Sequence, residues 1–225
     1  MNNSIRDKQK IPPRDARYVV LDTETTGLDV SKEHILELSA VEIINAKITG
    51  NQFHFYIKPR KKIDEEATKL HGLSSDFFTL YYNNIYPNEK KMLVNLLRFI
   101  GESFIMAHNA DFDKNFINKE LEFFDLPLIA NERFICTMKL YKSIFTGVHY
   151  GRTRLSDCCE KLKIKYNKEK NNFHTAMFDA FMAAKMVCIL LEDIDHKKVY
   201  KIDNFNINKS YLKNTLSTKQ TGNPI

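Results

Sequence analysis

Two acidic residues, Asp22 and Glu24, directly follow the short apolar run from Tyr18 to Leu21. Side chains alternate along a β-strand, so the two carboxylates of an Asp-x-Glu motif leave a strand on the same face. Like charges held so close repel each other unless one is protonated or a cation lies between them. Carboxylate oxygens are the ligands that a hard divalent cation such as Mg²⁺ prefers. The alternative is that Asp22 belongs to a loop after a core strand and Glu24 is simply solvated, so a metal site requires further ligands.

A third carboxylate, Asp113, lies where the apolar run 104–107, a predicted strand, passes into a predicted helix. Because this helix directly follows a strand, Asp113 can project over the same end of the sheet as the Asp-x-Glu motif. Asp111 is the competing candidate. Its position just before the helical run favours a capping role, in which the carboxylate accepts backbone N–H bonds.

His174 and Asp179 lie at the start of the last predicted helix, in the segment His-Thr-Ala-Met-Phe-Asp. His174 precedes the helix, and Asp179 lies within its first turns. Small residues at nearby positions let this helix approach a sheet closely: Ala176, Ala180, Ala183 and Ala184. Taken alone, a histidine in such a position is more often an ordinary surface residue, and an aspartate there is more often a solvated helix residue. Both become candidate site residues only together with the other acidic residues, Asp22, Glu24 and Asp113.

The order and spacing of these residues resemble the DEDDh branch of the DnaQ-like 3′→5′ exonucleases, and most of all the proofreading epsilon subunits of bacterial DNA polymerase III. The resemblance covers roughly residues 18–192. It also includes Leu-His-Gly-Leu at 70–73 and Leu-Ser-Asp-Cys-Cys at 155–159. The related DEDDy branch would place a tyrosine four residues before the last aspartate, where this chain has Thr175. The histidine branch is therefore the better match.

This resemblance implies an α/β fold, a ribonuclease H-like mixed five-stranded sheet flanked by helices. It also implies a cofactor of two Mg²⁺ ions about 4 Å apart, for which Mn²⁺ can substitute. The metal ligands would be Asp22, Glu24, Asp113 and Asp179. His174 would be the general base, because an imidazole with an ordinary pKa of about 6.5 can accept a proton from water near neutral pH.

Six further residues match family positions that contact the substrate: Thr23, Thr25, Leu28, His71, Asn109 and Phe112. The first three follow the first strand and would hold the terminal nucleotide, while Asn109 and Phe112 would shape the wall of the site. For His71 a purely structural role is the alternative. His108 is expected to support the site and not to bind metal.

The elements that must position these residues follow from hydrophobic periodicity and from turn signals. Strands are predicted at 18–21, 35–44, 48–57 and 104–107, with a hairpin connection at 45–47. Helices are predicted at 64–70, from Pro87 to 100, through 116–124, and at 137–145, 155–162 and 175–192. Asp64 is expected to cap the first helix and Gly72 to end it. Strands followed by helices interleaved with strands indicate an α/β or α+β sheet domain.

Length and charge predict one domain between a basic lead-in at 1–17 and a basic tail at 193–225, and the resemblance implies that residues 18–192 form an exonuclease domain. The chain has 225 residues and a net charge of +6, and the excess charge lies in these two end segments. Basic tails are usually only solvated, although they also suit a polyanionic partner. The chain has neither an apolar run that could span a bilayer nor a secretory signal. With four cysteines and no Cys-x-x-Cys pair, it is expected to be cytoplasmic, with reduced thiols.

The resemblance therefore implies a metal-dependent 3′→5′ exonuclease that hydrolyses DNA ends to nucleoside 5′-monophosphates during proofreading or repair. Its expected partners are single-stranded DNA or a frayed 3′ end, and a DNA polymerase catalytic subunit bound through 193–225. That tail contains no Gln-x-x-Leu-x-Phe clamp-binding pattern. The alternatives are an RNA 3′-end-trimming enzyme, similar to ribonuclease T or oligoribonuclease, and a non-catalytic nucleic-acid or partner-binding module.

Overall fold

The computed structural model of the chain describes residues 13–82, 88–145, 153–165 and 174–197, with side chains described except at 81–82 and 193–197. Five strands form one mixed sheet in the order β3-β2-β1-β4-β5. Their bounds are β1 Arg17–Thr25, β2 Ile35–Ile44, β3 Lys47–Tyr56, β4 Phe104–Ala107 and β5 Phe134–Cys136. Strands β1, β2 and β3 pair antiparallel, whereas β1, β4 and β5 pair parallel. The predicted α/β class and mixed sheet are confirmed.

Seven α-helices and one short 3-10 helix, Asn131–Arg133, accompany this sheet in the described part of the chain. The α-helices are α1 Glu65–His71, α2 Ser75–Tyr82, α3 Glu89–Ile100, α4 Ala110–Phe123, α5 Thr137–Ile144, α6 Leu155–Lys161 and α7 Ala176–Lys197. The alternation along β1 divides the core in two. Tyr18 and Val20 pack with α5, α6 and α7, whereas Val19 and Leu21 pack with α3 and α4. Strand β1 is therefore buried on both faces at the centre of the domain.

Local signals explain several element boundaries. Asn45 and Ala46 both adopt positive φ angles, of 53° and 56°, and Ile44 pairs directly with Lys47. This is a two-residue hairpin of the type I′ kind, so Lys47 belongs to β3 and not to the connection. The predicted caps of α1 are present, since the Asp64 side chain accepts from the backbone N–H of Glu66 and Gly72 is left-handed.

The structure differs from the sequence prediction at four elements. Strand β1 continues through the Asp-x-Glu motif, which is part of the strand and does not follow it. Helix α2 and the three-residue strand β5 were not predicted from periodicity. Helix α7 continues to Lys197, beyond the predicted domain end at 192. Helix α3 is capped by the side chain of Asn88. Pro87, the residue predicted to open this helix, lies outside the described residues. The segments 1–12 and 198–225 lie outside them as well.

Within residues 13–82, 88–145, 153–165 and 174–197, no helix is both long and apolar enough to cross a bilayer.

Candidate active site

The centre of the site is the carboxyl end of β1, where Asp22 and Glu24 lie on the same face of the strand. Helix α7 packs on this face and brings Asp179 to the pair. One carboxylate oxygen from each of these three residues lies within 4.8 Å of the other two. Three oxygen donors at this spacing can supply part of the coordination shell of a hard divalent cation, so the side chains present fit the metal that the sequence predicts.

Asp113 joins the cluster from the opposite face of the sheet, in the first turn of α4. Its side chain is only 2% exposed, and its Oδ1 accepts a hydrogen bond of 2.8 Å from the Thr23 hydroxyl. Thr23 is the strand residue between Asp22 and Glu24 and therefore faces α4. Thr23, which the resemblance predicts as a substrate contact, therefore holds the Asp113 carboxylate in place.

Asp111 does not cap α4, and that prediction is wrong. Its carboxylate is more than half exposed and forms ion pairs with Lys114 at 2.9 Å and Lys139 at 3.1 Å. The helix is preceded by Asn109 in the left-handed conformation, without a side-chain capping bond to the described residues. Asp111 therefore points away from the cluster, which leaves Asp113 as the inward carboxylate of this turn.

His174 lies beside the cluster with its Nδ1 atom 2.6 Å from Oδ2 of Asp179. Its backbone N–H donates to the carbonyl oxygen of Leu70, which ties the segment before α7 to the end of α1. A neutral imidazole has one donor and one acceptor nitrogen. A carboxylate at Nδ1 selects the tautomer with the proton there, so Nε2 carries the lone pair that can accept a proton.

Burial raises the pKa values of two carboxyls in this cluster, and for Asp22 the neighbouring negative charges raise it further. Burial has the largest effect on the pKa of Asp22, followed by the negative charges of Asp113, Glu24, Asp179 and Glu37. Burial raises the pKa of Asp113 to about 7, against the opposing effect of the Thr23 hydroxyl bond. Near neutral pH the metal-free cluster therefore retains protons, which a bound divalent cation would displace.

A cleft of about 420 Å³ opens over the cluster. All eleven predicted site residues line it: Asp22, Thr23, Glu24, Thr25, Leu28, His71, Asn109, Phe112, Asp113, His174 and Asp179. Leu28 is 84% exposed on one side of the cleft, and Leu70, which the sequence analysis did not single out, is 51% exposed at its lining. Such exposed apolar side chains at a polar cleft suit contact with a nucleobase.

The loop after β1 holds Leu28 in this exposed position. The Thr25 hydroxyl donates to the carbonyl oxygen of Gly27, and the Thr26 hydroxyl donates to the carboxylate of Glu33. A Cβ atom added at Gly27 would lie 3.1 Å from the Glu33 side chain. Glycine at this position therefore permits the close packing that shapes the loop.

Two histidines that line the cleft are held by the protein itself. The Nε2 atom of His71 donates to the carbonyl oxygen of Thr25, and its Nδ1 accepts from the backbone N–H of Leu73. The ring nitrogens of His108 contact the Thr137 hydroxyl and the carbonyl oxygen of residue 153. Burial lowers the pKa of both histidines. These contacts favour the structural alternative for His71 and the supporting role predicted for His108.

Comparison with known proteins agrees with this geometry. A family model described as "Exonuclease", RNase_T, matches residues 19–187. The DNA polymerase III subunit epsilon of Rickettsia conorii is 33% identical over 211 residues, which are 92% of this chain and 85% of the relative. The same subunit of Buchnera aphidicola subsp. Acyrthosiphon pisum is 32% identical over 210 residues, covering 90% of this chain and 84% of the relative.

Solved structures share the fold at lower identity. Exonuclease X in complex with 5′ overhanging duplex DNA has a TM-score of 0.57 and 22% identity, covering 81% of this chain and 94% of that one. The nuclease domain of 3′hExo, a DEDDh family member bound to rAMP, has a TM-score of 0.63 and 16% identity, covering 79% and 92%. E. coli Exonuclease I in complex with a dT13 oligonucleotide has a TM-score of 0.67 and 14% identity, covering 80% and 42%.

Binding of a divalent cation is expected to release protons. Because the raised pKa values of Asp22 and Asp113 keep protons on the metal-free cluster, the affinity for Mn²⁺ should increase from pH 6 to pH 8. Calorimetric titration at pH 6.5 in buffers with different ionisation enthalpies measures the number of protons released. Asp111→Asn, a carboxylate outside the cluster, should behave like the wild type. Binding at pH 6.5 without proton release would contradict the account.

Removal of the Thr23 hydroxyl is expected to weaken the site in a pH-dependent manner. The bond from Thr23 lowers the pKa of Asp113, so Thr23→Val should raise that pKa and reduce metal affinity by about tenfold at pH 6.5. The deficit should shrink above pH 8, where Asp113 is ionised in both proteins. Thr23→Ser keeps the hydroxyl and serves as the control. Equal losses of metal affinity at pH 6.5 and pH 8.5 would contradict the idea that the Thr23 bond acts by lowering the pKa of Asp113.

Proposed function

Because this chain is a 3′→5′ exonuclease that belongs to the RNase_T family, we propose that it removes nucleotides from single-stranded or frayed 3′ ends of DNA during proofreading. The observation that carries this proposal is the trio of carboxylates Asp22, Glu24 and Asp179, which lie within reach of one cation in an open cleft. DNA is the favoured substrate because relatives more than 30% identical over most of the chain are named as subunits of a DNA polymerase.

The family depends on divalent metal, and we propose two Mg²⁺ ions held by Asp22, Glu24, Asp113 and Asp179, with Mn²⁺ as a substitute. When bound, such ions supply an activated water and stabilise the leaving oxygen. His174 would accept the proton of that water at Nε2, while Asp179 holds its Nδ1–H. Proton transfer by a positioned side chain of this kind contributes roughly 10²–10⁴-fold to the rate.

The cleft walls suggest how the terminal nucleotide is held. Leu28 and Leu70 offer exposed apolar surface for the base. Thr25, Asn109 and Phe112 line the same cleft and are proposed to contact the sugar and the terminal phosphate. His71 would act indirectly, because it fixes the Thr25 carbonyl.

RNA trimming is the second candidate function. It is favoured by one specific observation, which is that a structurally similar DEDDh nuclease domain was solved with rAMP bound. A non-catalytic binding module is disfavoured on physical grounds. Burying several like-charged carboxylates at one place opposes folding, and such a module has no chemical need for them.

A proofreading role would place this chain beside a DNA polymerase catalytic subunit in the cytoplasm. We propose the basic segment 193–225 as the region that contacts this partner and residues 18–192 as the exonuclease domain. The basic lead-in at 1–17 and the basic tail together give the chain its positive charge. Both segments would also attract the phosphate backbone of a polyanionic substrate.

Product analysis tests the proposed function directly. We expect the purified chain with Mg²⁺ to shorten a 5′-labelled single-stranded DNA by one nucleotide at a time from its 3′ end, faster than a matched RNA. His174→Ala should lower the turnover number by at least about 100-fold and leave DNA binding largely intact, because it removes the general base and not the metal ligands.

The controls are EDTA and Asp113→Ala, and both should abolish the ladder of products. Faster shortening of RNA than of DNA would contradict DNA proofreading and support RNA trimming as the function. Binding without any ladder would support the non-catalytic module. Near-normal hydrolysis by His174→Ala would contradict its role as the general base.

A further inference from the structure

We infer that Glu37, on β2, is a positioning residue that sets the start of α7 and thereby places His174 and Asp179 over the metal-binding carboxylates. This inference rests on the proposed function of those residues. Glu37 is only 1% exposed and lies directly opposite Glu24 in the pairing of β1 with β2. A carboxylate buried to this degree requires partners.

The two carboxylate oxygens of Glu37 have partners on two different elements. Oε2 accepts a hydrogen bond of 3.1 Å from the backbone N–H of Ala176. Oε1 lies 2.8 Å from Nε2 of His54, on the neighbouring strand β3. The His54 ring in turn packs edge-on against Tyr56, with the ring centroids 4.8 Å apart. The imidazole therefore fixes the carboxylate from the side of the sheet, and the carboxylate fixes the helix.

Ala176 is the first residue of α7, and its N–H is one of those that a helix cannot satisfy within itself. A carboxylate at this end of a helix is also favoured by the helix dipole. The Thr175 hydroxyl caps the helix locally by accepting from the backbone N–H of Phe178. Glu37 adds a second capping bond, to the N–H of Ala176, from 139 positions away in the chain. The bond to Glu37 ties the helix terminus to the central sheet, which the local bond to Thr175 cannot do.

The start of α7 carries both residues that the mechanism needs from this helix. The backbone N–H of Asp179 donates to the carbonyl oxygen of Thr175, so this carboxylate moves with the first turn. His174 contacts Asp179 through Nδ1 and donates its backbone N–H to the carbonyl of Leu70. A displacement of the first turn would therefore move a metal ligand and the general base together.

Two explanations of Glu37 predict opposite mutant behaviour. If its reach matters, shortening the side chain in Glu37→Asp breaks the bond to Ala176 although the negative charge is kept. If only its charge matters, Glu37→Gln is the damaging change, although the amide oxygen can still accept from Ala176. The inferred positioning role predicts the first pattern.

The test is the affinity for Mn²⁺ alone, measured by electron paramagnetic resonance without substrate, together with kcat and KM on single-stranded DNA. We expect Glu37→Asp to lose about 10–100-fold in Mn²⁺ affinity. Its kcat should also fall by up to about 100-fold, while KM changes little, because a shift of about 1 Å at reacting groups has effects of this size. Glu37→Gln should lose much less in both quantities.

Glu42→Asp is the matched control, because Glu42 is a buried glutamate on the same strand. Its carboxylate contacts Arg17, Thr49 and Asn51, none of which lines the cleft. This variant should leave Mn²⁺ affinity unchanged, even if it unfolds at a lower temperature.

A larger loss in Glu37→Gln than in Glu37→Asp would overturn the positioning role, as would an equal loss of Mn²⁺ affinity in Glu42→Asp. Failure of the proposed function has a different signature, which is a wild-type chain that binds Mn²⁺ and degrades neither DNA nor RNA.

Discussion

The repulsion among four carboxylates at the carboxyl end of β1 is the constraint on which the rest of this structure depends. Asp22, Glu24 and Asp179 offer oxygens within 4.8 Å of one another, and Asp113 is buried beside them. Such a group opposes folding of the metal-free chain, because burial and neighbouring negative charge both disfavour ionised carboxyls. The surrounding fold must therefore supply enough favourable packing to hold these side chains in place.

The fold holds these side chains by packing helices on both faces of the sheet at the end of one strand, β1. Strand β1 is central in the sheet and apolar on both faces, so α4 and α7 pack against opposite faces of the same strand. Each helix begins near the end of β1 and carries an acidic residue in its first turns. Bonds between elements then fix the carboxylates, through the Thr23 hydroxyl on one side and the carboxylate of Glu37 on the other.

The sequence predicted the site better than it predicted its supports. Strand alternation placed Asp22 and Glu24 on one face, and the family resemblance identified eleven of the residues that line the cleft, although not Leu70. The partners of Asp111 include Lys139, 28 positions away, so a local capping rule could not reveal them. The hydrogen bond from Ala176 to Glu37 likewise joins residues 139 positions apart, so a local sequence pattern could not predict it. Strand β5, with three residues, is too short for alternation to be detected. These features depend on tertiary contacts, and periodicity carries no information about them.

Thermal unfolding of the metal-free chain tests the central claim most directly. Burial and neighbouring charge raise the pKa of Asp22 in the folded state, so the folded chain binds more protons than the unfolded chain above the ordinary value of 3.8, and its stability falls as the pH rises. Asp22→Asn should therefore unfold at a higher temperature than the wild type at pH 8, with a difference that shrinks toward pH 4. Mg²⁺ or Mn²⁺ should stabilise the wild type more than the variant. A metal-free variant that unfolds at or below the wild-type temperature at pH 8 would contradict the account.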